Sequence, residues 1–355
     1  MMVLFCISDL RKGGAEKVLT ALCTHAGGVY TPRVVALTGG WYERVLADAG
    51  IRVDVLRPAG ASWFSAVRRL RALAANTGDI DCIYGFLPLG GCIGAAIKWR
   101  TGKPLLYAIR SSLRYFGLMK QPVRWLLHLI SLQSADASTV NSPAVKQHLR
   151  TRKPVHIILN GVEAPPPDRC EDDSVRREFF PDDKRAYVVS VCSLRPPRKP
   201  STLLDVAATM REVGFVLVGD GVYLPRLKRR VESEGLSNVA LAGFRENVWP
   251  FLRYAQAFVL LTDHEGFPNS VLEAMVMGLP VVISDIPEVR GVLTPGNRCA
   301  LVKNRDIAGI AAAIMRTREA GPHADARKAP AADAFSMAAM VRETASILGR
   351  VADGG

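Results

Sequence analysis

The 355-residue chain is long enough for two domains of ordinary size, and its 49% hydrophobic residues allow each domain a large core. Its seven cysteines are scattered without paired spacing, which argues against a disulfide framework or a cysteine-based metal site and favours a reduced, cytoplasmic protein. The formal net charge of +13 suits a nucleic acid, an anionic membrane surface or a phosphorylated substrate as partner.

The first half of the chain alternates predicted strands and helices. Short apolar runs bounded by glycine, proline and polar residues predict buried parallel strands at residues 2–8, 33–37, 80–86, 105–110, 137–141 and 156–159. The first run is too short, and too soon followed by charge, for a signal peptide, and no apolar run reaches the length of a membrane span. Helical patterns lie between the strands, for instance at 15–26 and 64–75. Residues 1–163 are therefore predicted to form one domain, a parallel sheet with helices on both faces.

The alternation resumes after a segment rich in proline and acidic residues. Three prolines at 165–167 and the acidic run at 171–173 predict an interdomain linker over 164–184. Further strands are predicted at 186–191, 215–218, 239–241, 257–261, 281–284 and 299–302, which makes residues 185–330 a second parallel-sheet domain. The pattern FSMAAMVRETASIL predicts a final helix within 331–355.

One stretch of the second domain, residues 262–285, joins two predicted strands through a polar turn and a helix. Its sequence is TDHEGFPNSVLEAMVMGLPVVISD. Asn269 and Ser270 are predicted N-cap residues, and Gly278 is predicted to end the helix. The turn before the cap contains Gly266, Phe267 and Pro268.

Two glutamates of this stretch are candidate ligand-binding residues. Glu265 lies in the turn, and Glu273 lies in the first turns of the helix. Ligands of open α/β sheets bind beyond the carboxyl ends of the strands, and a helix N-terminus attracts phosphate. The arrangement therefore suits a sugar nucleotide, although a capped helix in an ordinary βαβ unit, with Glu273 favouring the helix dipole, explains the same pattern.

The run E-G-F-P-N-S-V-L-E-A-M, followed by G-L-P-V-V, resembles the E-x7-E signature of the retaining glycosyltransferases of family 4. The resemblance implies the GT-B fold, in which two Rossmann-like parallel-sheet domains face each other across a cleft. It implies that Glu265 holds the hydroxyls of the donor sugar, that Glu273 holds the ribose, and that residues 266–270 belong to the donor site. It also implies a C-terminal helix that crosses back onto the N-terminal domain.

The segment S-V-C-S-L-R-P-P-R-K-P, residues 190–200, follows the first strand of the second domain. Members of the family usually carry an arginine and, about six residues on, a lysine here, and both grip the diphosphate. Lys199 matches the lysine, whereas Ser193 occupies the arginine position. Arg195 or Arg198 can supply the missing charge, because a guanidinium reaches far and binds phosphate bidentately. The sequence leaves open which of them does so, and basic surface residues are the alternative.

Glycine turns follow three of the predicted strands. Gly13 and Gly14 resemble the G-G-A-E loop that lies near the donor phosphates and the acceptor in this family. Gly219, a candidate donor-binding residue, begins a G-D-G turn that the family also has, and Gly243 resembles the loop near the nucleotide base. Such turns are common in α/β proteins, so each is also explained by a tight strand-to-helix connection.

Arg110 ends the fourth predicted strand, where many relatives place a histidine or an Arg-Asn pair that points at the reacting sugar. It is the third catalytic candidate beside Glu265 and Lys199, with a structural ion pair as the alternative. His128 and His148 fall within helical patterns and are predicted to be structural. No Ser-His-Asp or Cys-His constellation is evident.

Two basic amphipathic segments in the first half are candidate membrane contacts. Residues 63–74 carry Arg68, Arg69 and Arg71 beside aromatic residues, and residues 114–130 carry Arg114, Lys120 and Arg124. Both segments suit an anionic bilayer surface, with ordinary core-facing helices as the alternative.

The resemblance to family 4 implies a retaining glycosyltransferase that moves a sugar from a nucleoside-diphosphate donor to an acceptor hydroxyl. The acceptor is expected to be a lipid-linked saccharide of lipopolysaccharide or polysaccharide synthesis, and the protein is expected to be cytoplasmic and peripheral on the inner face of the membrane. No metal and no cofactor are expected. The alternatives are a sugar-nucleotide epimerase or hydrolase of the same fold, or a basic nucleic-acid-binding protein, for which no recognised motif is present.

Overall fold

The computed structural model describes residues 1–110, 121–182, 184–293, 295–296, 298–319 and 335–354. The chain forms two compact units. The first comprises Met1–Gly161 together with the C-terminal segment, and the second begins at Val162. Within the described ranges, no helix has both the length and the apolar character that a membrane span requires.

The first unit is built on a seven-stranded parallel sheet with the order β3-β2-β1-β4-β5-β6-β7. The strands are β1 (Met2–Asp9), β2 (Thr31–Thr38), β3 (Val53–Val55), β4 (Cys82–Phe86), β5 (Leu105–Ile109), β6 (Ala137–Val140) and β7 (Val155–Ile157). Its helices up to the unit boundary are α1 (Gly14–Thr24), α2 (Trp41–Asp48), α3 (Trp63–Ala75), α4 (Leu87–Thr101), α5 (Pro122–Ser134) and α6 (Pro143–His148).

Both faces of this sheet are covered by helices. Along β1, Phe5 points into one buried cluster and its neighbour Leu4 into another, as the two-residue period of a strand requires. The predicted parallel sheet with helices on both faces is therefore confirmed. Strand β3 was not predicted, because Val53-Asp54-Val55 is a three-residue, half-buried edge strand without an apolar run.

The second unit contains a six-stranded parallel sheet with the order β10-β9-β8-β11-β12-β13. The strands are β8 (Tyr187–Val191), β9 (Gly214–Val218), β10 (Val239–Gly243), β11 (Ala257–Leu260), β12 (Val281–Ser284) and β13 (Cys299–Val302). The helices are α7 (Asp173–Phe179), α8 (Pro200–Thr209), α9 (Leu224–Ser233), α10 (Trp249–Tyr254), α11 (Asn269–Val276), α12 (Pro287–Arg290) and α13 (Ile307–Glu319).

The segment 164–184, predicted to be a linker, contains α7 and is in that part a folded helix. Asp172 caps this helix, since its carboxylate accepts hydrogen bonds from the backbone N–H groups of Ser174 at 2.9 Å and Val175 at 3.2 Å. Phe179 then packs against Phe251 of the second unit, with ring centroids 5.3 Å apart. The acidic run is thus the start of a helix, because a carboxylate at this position satisfies N–H groups that the helix leaves without partners.

The last helix, α14 (Met337–Ala352), packs on the first unit. Met340 and Leu348 are buried in the same cluster as Phe5. Gly161, the last residue of the first unit before Val162, lies so close to the helix start that an added Cβ would be 2.8 Å from the Cα of Met337. Any larger residue at position 161 would therefore push the helix away from the sheet.

His128 gives the first unit a predictable pH dependence. It is buried in α5, with Nδ1 3.0 Å from the hydroxyl of Tyr107, and burial lowers its pKa from 6.5 to about 4. Below pH 6.5 this histidine binds a proton in the unfolded chain but not in the native protein. The free energy of unfolding is therefore highest above pH 6.5 and falls as the pH falls towards 4, by on the order of 3 kcal/mol. We expect the melting temperature of the His128→Asn variant to fall less than that of the wild type between pH 7 and pH 4.5.

The control for this prediction is His25→Asn, which replaces an exposed histidine at the end of α1. Its melting temperature should follow the pH as the wild type does. Parallel melting curves for the wild type and His128→Asn across this pH range would contradict the prediction.

Candidate functional site

Two loops at the carboxyl edge of the second sheet are joined by backbone hydrogen bonds. One loop follows β8 and the other follows β11. The N–H of Lys199 donates to the carbonyl of Leu261 at 2.9 Å, and the N–H of Asp263 donates to the carbonyl of Pro197 at 3.2 Å. The structure therefore places the predicted diphosphate-binding segment directly against the segment that leads to Glu265.

Arg198 and Glu265 form the centre of this arrangement. Their guanidinium and carboxylate groups are in contact, with side chains that are only 15% and 13% exposed. The Nη1 of Arg198 is also 3.3 Å from the hydroxyl of Thr262. Burial lowers the pKa of the Arg198 guanidinium, because removal from water destabilises the charged form. Its Nε is buried without a partner among the described residues, so it can donate one further hydrogen bond.

Lys199 and Arg195 are the other two cations of the loop after β8. The Nζ of Lys199 is 2.6 Å from a carboxylate oxygen of Asp263, and both side chains are about half exposed. Arg195 is exposed, and its charge also lowers the pKa of Arg198. Of the two arginines considered as a replacement for the family arginine, Arg198 is the one that reaches Glu265.

The predicted N-cap of α11 is wrong by one residue or more. Pro268 is the cap residue, with φ −76° and ψ 122°, and Asn269 and Ser270 are the first residues of the helix itself. No side-chain cap bond is formed at Pro268, because proline has no polar side chain. This leaves the first-turn N–H groups without the side-chain cap predicted for Asn269 or Ser270, and such groups attract anions. The predicted end at Gly278 is confirmed by its left-handed φ of +71°.

The second motif glutamate, Glu273, is 3% exposed in the second turn of α11. Phe267 is buried in the loop before the helix, and Gly266 is buried beside it. The structure thus groups Glu265, Glu273 and residues 266–270 at one edge of the sheet, with the cations of the loop after β8. Their roles in donor binding stay predictions.

The G-D-G turn supports the loop after β8. Gly219 has φ +146°, and a Cβ at this position would overlap the carbonyl oxygen of Cys192. The turn is fastened by a hydrogen bond of 2.9 Å from the N–H of Leu194 to the carbonyl of Asp220. The role of Gly219 in donor binding stays a prediction; in the structure this glycine allows the loop after β8 to approach the end of β9 closely.

Asn304 was missed by sequence reasoning. It follows β13 by two residues, and its side-chain amide donates to the carbonyl of Thr262 at 2.8 Å. A polar residue just beyond the carboxyl end of a predicted strand was the available signal, because all parallel strands of a sheet end at the same edge.

The remaining candidates lie in the first unit. Gly13 is the extended N-cap residue of α1, and Gly14 is the first residue of that helix. Arg110 follows β5 and is 9% exposed; its Nη1 donates to Asn160 Oδ1 at 2.9 Å, and its Nη2 is 3.4 Å from the hydroxyl of Tyr84. These partners are neutral, so no ion pair with a described residue accounts for its burial. Residues 111–120, which follow Arg110 directly, lie outside the described residues.

Comparison with protein families gives matches over most of the chain. The family described as Glycosyltransferase Family 4 matches residues 12–164, and the family described as Glycosyl transferases group 1 matches residues 185–319. The boundary between these two matches falls near the boundary between the two units.

Individual relatives share moderate identity with the chain. The GDP-mannose-dependent alpha-mannosyltransferase of Mycobacterium tuberculosis is 28% identical over 81% of this chain and 75% of its own length. The lipopolysaccharide core biosynthesis glycosyltransferase LpsE of Rhizobium meliloti is 31% identical over 32% of this chain, a match that spans only 34% of LpsE. The structure of Anabaena Alr3699/HepE in complex with UDP is similar over 98% of this chain and 100% of that chain, with a TM-score of 0.81 and 20% identity.

Proposed function

Because the chain belongs to the glycosyltransferases, with a family 4 domain in its N-terminal half and a group 1 domain in its C-terminal half, we propose that it moves a sugar from a nucleoside-diphosphate donor to an acceptor hydroxyl with retention of configuration. Its two Rossmann-like units correspond to the GT-B fold expected from the sequence. The observation that carries the proposal is the contact between Arg198 and Glu265. It joins the loop after β8, called the phosphate-side loop because it would hold the diphosphate, to the loop after β11, called the sugar-side loop because it would hold the sugar.

The proposed mechanism is mainly positioning and stabilisation of charge. When the bond to the sugar breaks, negative charge develops on the diphosphate. Arg198, Lys199 and the N-terminus of α11 would neutralise that charge. Glu265 would hold the sugar hydroxyls and Glu273 the ribose hydroxyls, so that the reacting carbon faces the acceptor. Because two side-chain cations are available, we propose that transfer needs no metal and persists in EDTA.

The test of this function is a panel of UDP- and GDP-sugars. We expect at least one of them to raise the melting temperature and to release its nucleoside diphosphate. NMR of the product should show the anomeric configuration of the donor. A melting temperature that responds to single-stranded nucleic acid, and to none of the nucleotide sugars, would instead support the nucleic-acid-binding alternative.

If these side chains bind the diphosphate, alanine substitutions of Arg198, Lys199 and Arg195 should weaken nucleoside-diphosphate binding unequally. We expect Arg198→Ala and Lys199→Ala each to weaken binding of the matching nucleoside diphosphate by about 10- to 100-fold, because each removes a charge-assisted hydrogen bond of about 1.5–3 kcal/mol. Arg195→Ala is the matched control and should weaken binding less than threefold, because that side chain is exposed. Calorimetry that ranks Arg195→Ala above Arg198→Ala would contradict this assignment.

Two helices of the first unit support a lipid-linked acceptor and a peripheral position on the membrane. Trp63 and Phe64 at the start of α3 are 60% and 81% exposed. Exposed arginines follow them at Arg68, Arg69 and Arg71. Helix α5 exposes three apolar side chains beside Arg124, namely Val123, Leu126 and Ile130. Residues 114–120 of the second predicted segment, including Arg114 and Lys120, lie outside the described residues.

The exposed basic and apolar side chains of α3 and α5 predict that binding to anionic vesicles depends on salt. Each Lys or Arg near an anionic bilayer contributes about 1 kcal/mol, and salt screens that attraction. We expect the protein to sediment with phosphatidylglycerol vesicles at low salt and to be released at high salt. Charge reversal at Arg68, Arg69, Arg71 and Arg124 should abolish sedimentation and leave nucleoside-diphosphate affinity unchanged. Equal binding to neutral vesicles would count against the electrostatic contact.

A further inference from the structure

The loop that leads to Glu265 is fastened by an amide that belongs to none of the recognised motifs. Asn304 Nδ2 donates to the carbonyl of Thr262 at 2.8 Å and to a carboxylate oxygen of Asp263 at 3.2 Å. Its Oδ1 accepts from the hydroxyl of Ser284. That hydroxyl in turn accepts from the N–H of Thr262 at 2.7 Å.

These bonds tie together the carboxyl ends of three neighbouring strands, β11, β12 and β13. Thr262 and Ser284 are almost completely buried, so the backbone groups of Thr262 have no water to replace a lost partner. The loop after β11 is therefore held at both its N–H and its carbonyl, just three residues before Glu265.

Asp263 connects the same amide to the phosphate-side loop. While one of its carboxylate oxygens receives the hydrogen bond from Asn304, the other is 2.6 Å from the Nζ of Lys199. A carboxylate fixed on one side determines where the cation on its other side lies. Asn304 thereby orients the backbone that carries Glu265 and, through Asp263, the ammonium group of Lys199.

We propose that Asn304 is a positioning residue for the donor: it sets the sugar-side carboxylate and the diphosphate-side cation relative to each other. This inference rests on the proposed function. Asn304 acts through Thr262 and Asp263, so its replacement should change turnover and nucleotide affinity. If its hydrogen bonds only stabilised the fold, its replacement would change the melting temperature alone.

The experiment compares Asn304→Ala with the matched control Asn238→Ala. Asn238 is a more deeply buried amide of the same unit, whose Nδ2 donates to three backbone carbonyls at 3.0 Å, and it precedes β10 at the opposite edge of the sheet. We expect Asn304→Ala to lower kcat by about 10- to 100-fold and to weaken nucleoside-diphosphate binding by about three- to tenfold. Asn238→Ala should lower the melting temperature more and change kcat and affinity less than twofold.

A double-mutant cycle tests the route through Asp263. If Asn304 orients Lys199 through that carboxylate, Asn304→Ala should weaken nucleotide binding much less in an Asp263→Ala background than in the wild type. Equal effects in both backgrounds would overturn the proposed route. Normal kcat and affinity in Asn304→Ala, with an active wild type and an inactive Glu265 variant, would overturn the inference and leave the proposed function intact. A wild type that binds and turns over no nucleotide sugar would overturn both.

Discussion

Replacing Glu265 with Gln is expected to reduce sugar transfer by about 30- to 1,000-fold. Glu265 is the carboxylate at the junction of the two loops, and its contact with Arg198 fixes where it lies. A charged hydrogen bond that strengthens in the transition state is worth about 2–4 kcal/mol. Glutamine keeps the shape of the side chain and its contact with Arg198, but it lacks the negative charge. The measurement is kcat/KM with the donor identified from the nucleotide-sugar panel.

Glu234→Gln is the matched control for this variant. Glu234 also pairs with an arginine of the second unit, at 2.6 Å from Arg230, but it lies at the end of α9 on the surface. Its variant should keep the turnover of the wild type. Near-normal turnover of Glu265→Gln would show that the sugar-binding assignment is wrong. The melting temperature of both variants should be recorded at saturating nucleoside diphosphate, so that a loss of folded protein is not read as a loss of catalysis.

The second large effect is expected for Gly219→Ala. An alanine there must adopt φ near +146°, and its Cβ would overlap the carbonyl oxygen of Cys192. Strained backbone of this kind costs about 1–3 kcal/mol, before any cost of moving the neighbouring loop. We expect the melting temperature to fall by about 5–10 °C and nucleoside-diphosphate binding to weaken at least tenfold, because the displaced loop carries Arg198 and Lys199.

The Gly235→Ala variant separates the cost of a left-handed backbone from the cost of overlap with the neighbouring loop. Gly235 also has a positive φ, +56°, but an added Cβ would meet no atom within 4 Å. The Gly235→Ala variant should be destabilised only by the left-handed backbone, by about 1 kcal/mol, and it should bind nucleoside diphosphate normally. If Gly219→Ala were no more damaging than Gly235→Ala, the close approach between the turn and the loop after β8 would not be important for binding.

The sequence was most informative where local pattern and tertiary structure agree. Buried parallel strands must be apolar on both faces, so twelve runs could be recognised without knowledge of their neighbours. Strand β3 could not, since an edge strand of three residues needs no such run. The acidic run before α7 was ambiguous, because carboxylates are common both in linkers and at the caps of helices.

The site was predictable as a set of residues but not as a set of contacts. Arg195 and Arg198 both lie close enough in sequence to replace the family arginine, and the structure distinguishes them by burial and by the contact of Arg198 with Glu265. Asn304 lies 42 residues after Thr262 in sequence, so its role depends on strand order, which no local pattern encodes. For Arg110 the sequence predicted the position at the end of a strand, but it did not predict that the side chain is buried among neutral partners.

The packing of α14 on the first sheet has a consequence for the synthesis of the chain. The first unit is discontinuous, because residues of the second unit lie between Gly161 and α14. Translation proceeds at about 5–20 residues per second, and domains form as their residues emerge from the ribosome. The second unit can therefore fold while the first still exposes the apolar surface that Met340 and Leu348 later cover. We expect the nascent first unit to depend on chaperones until the last helix has been made.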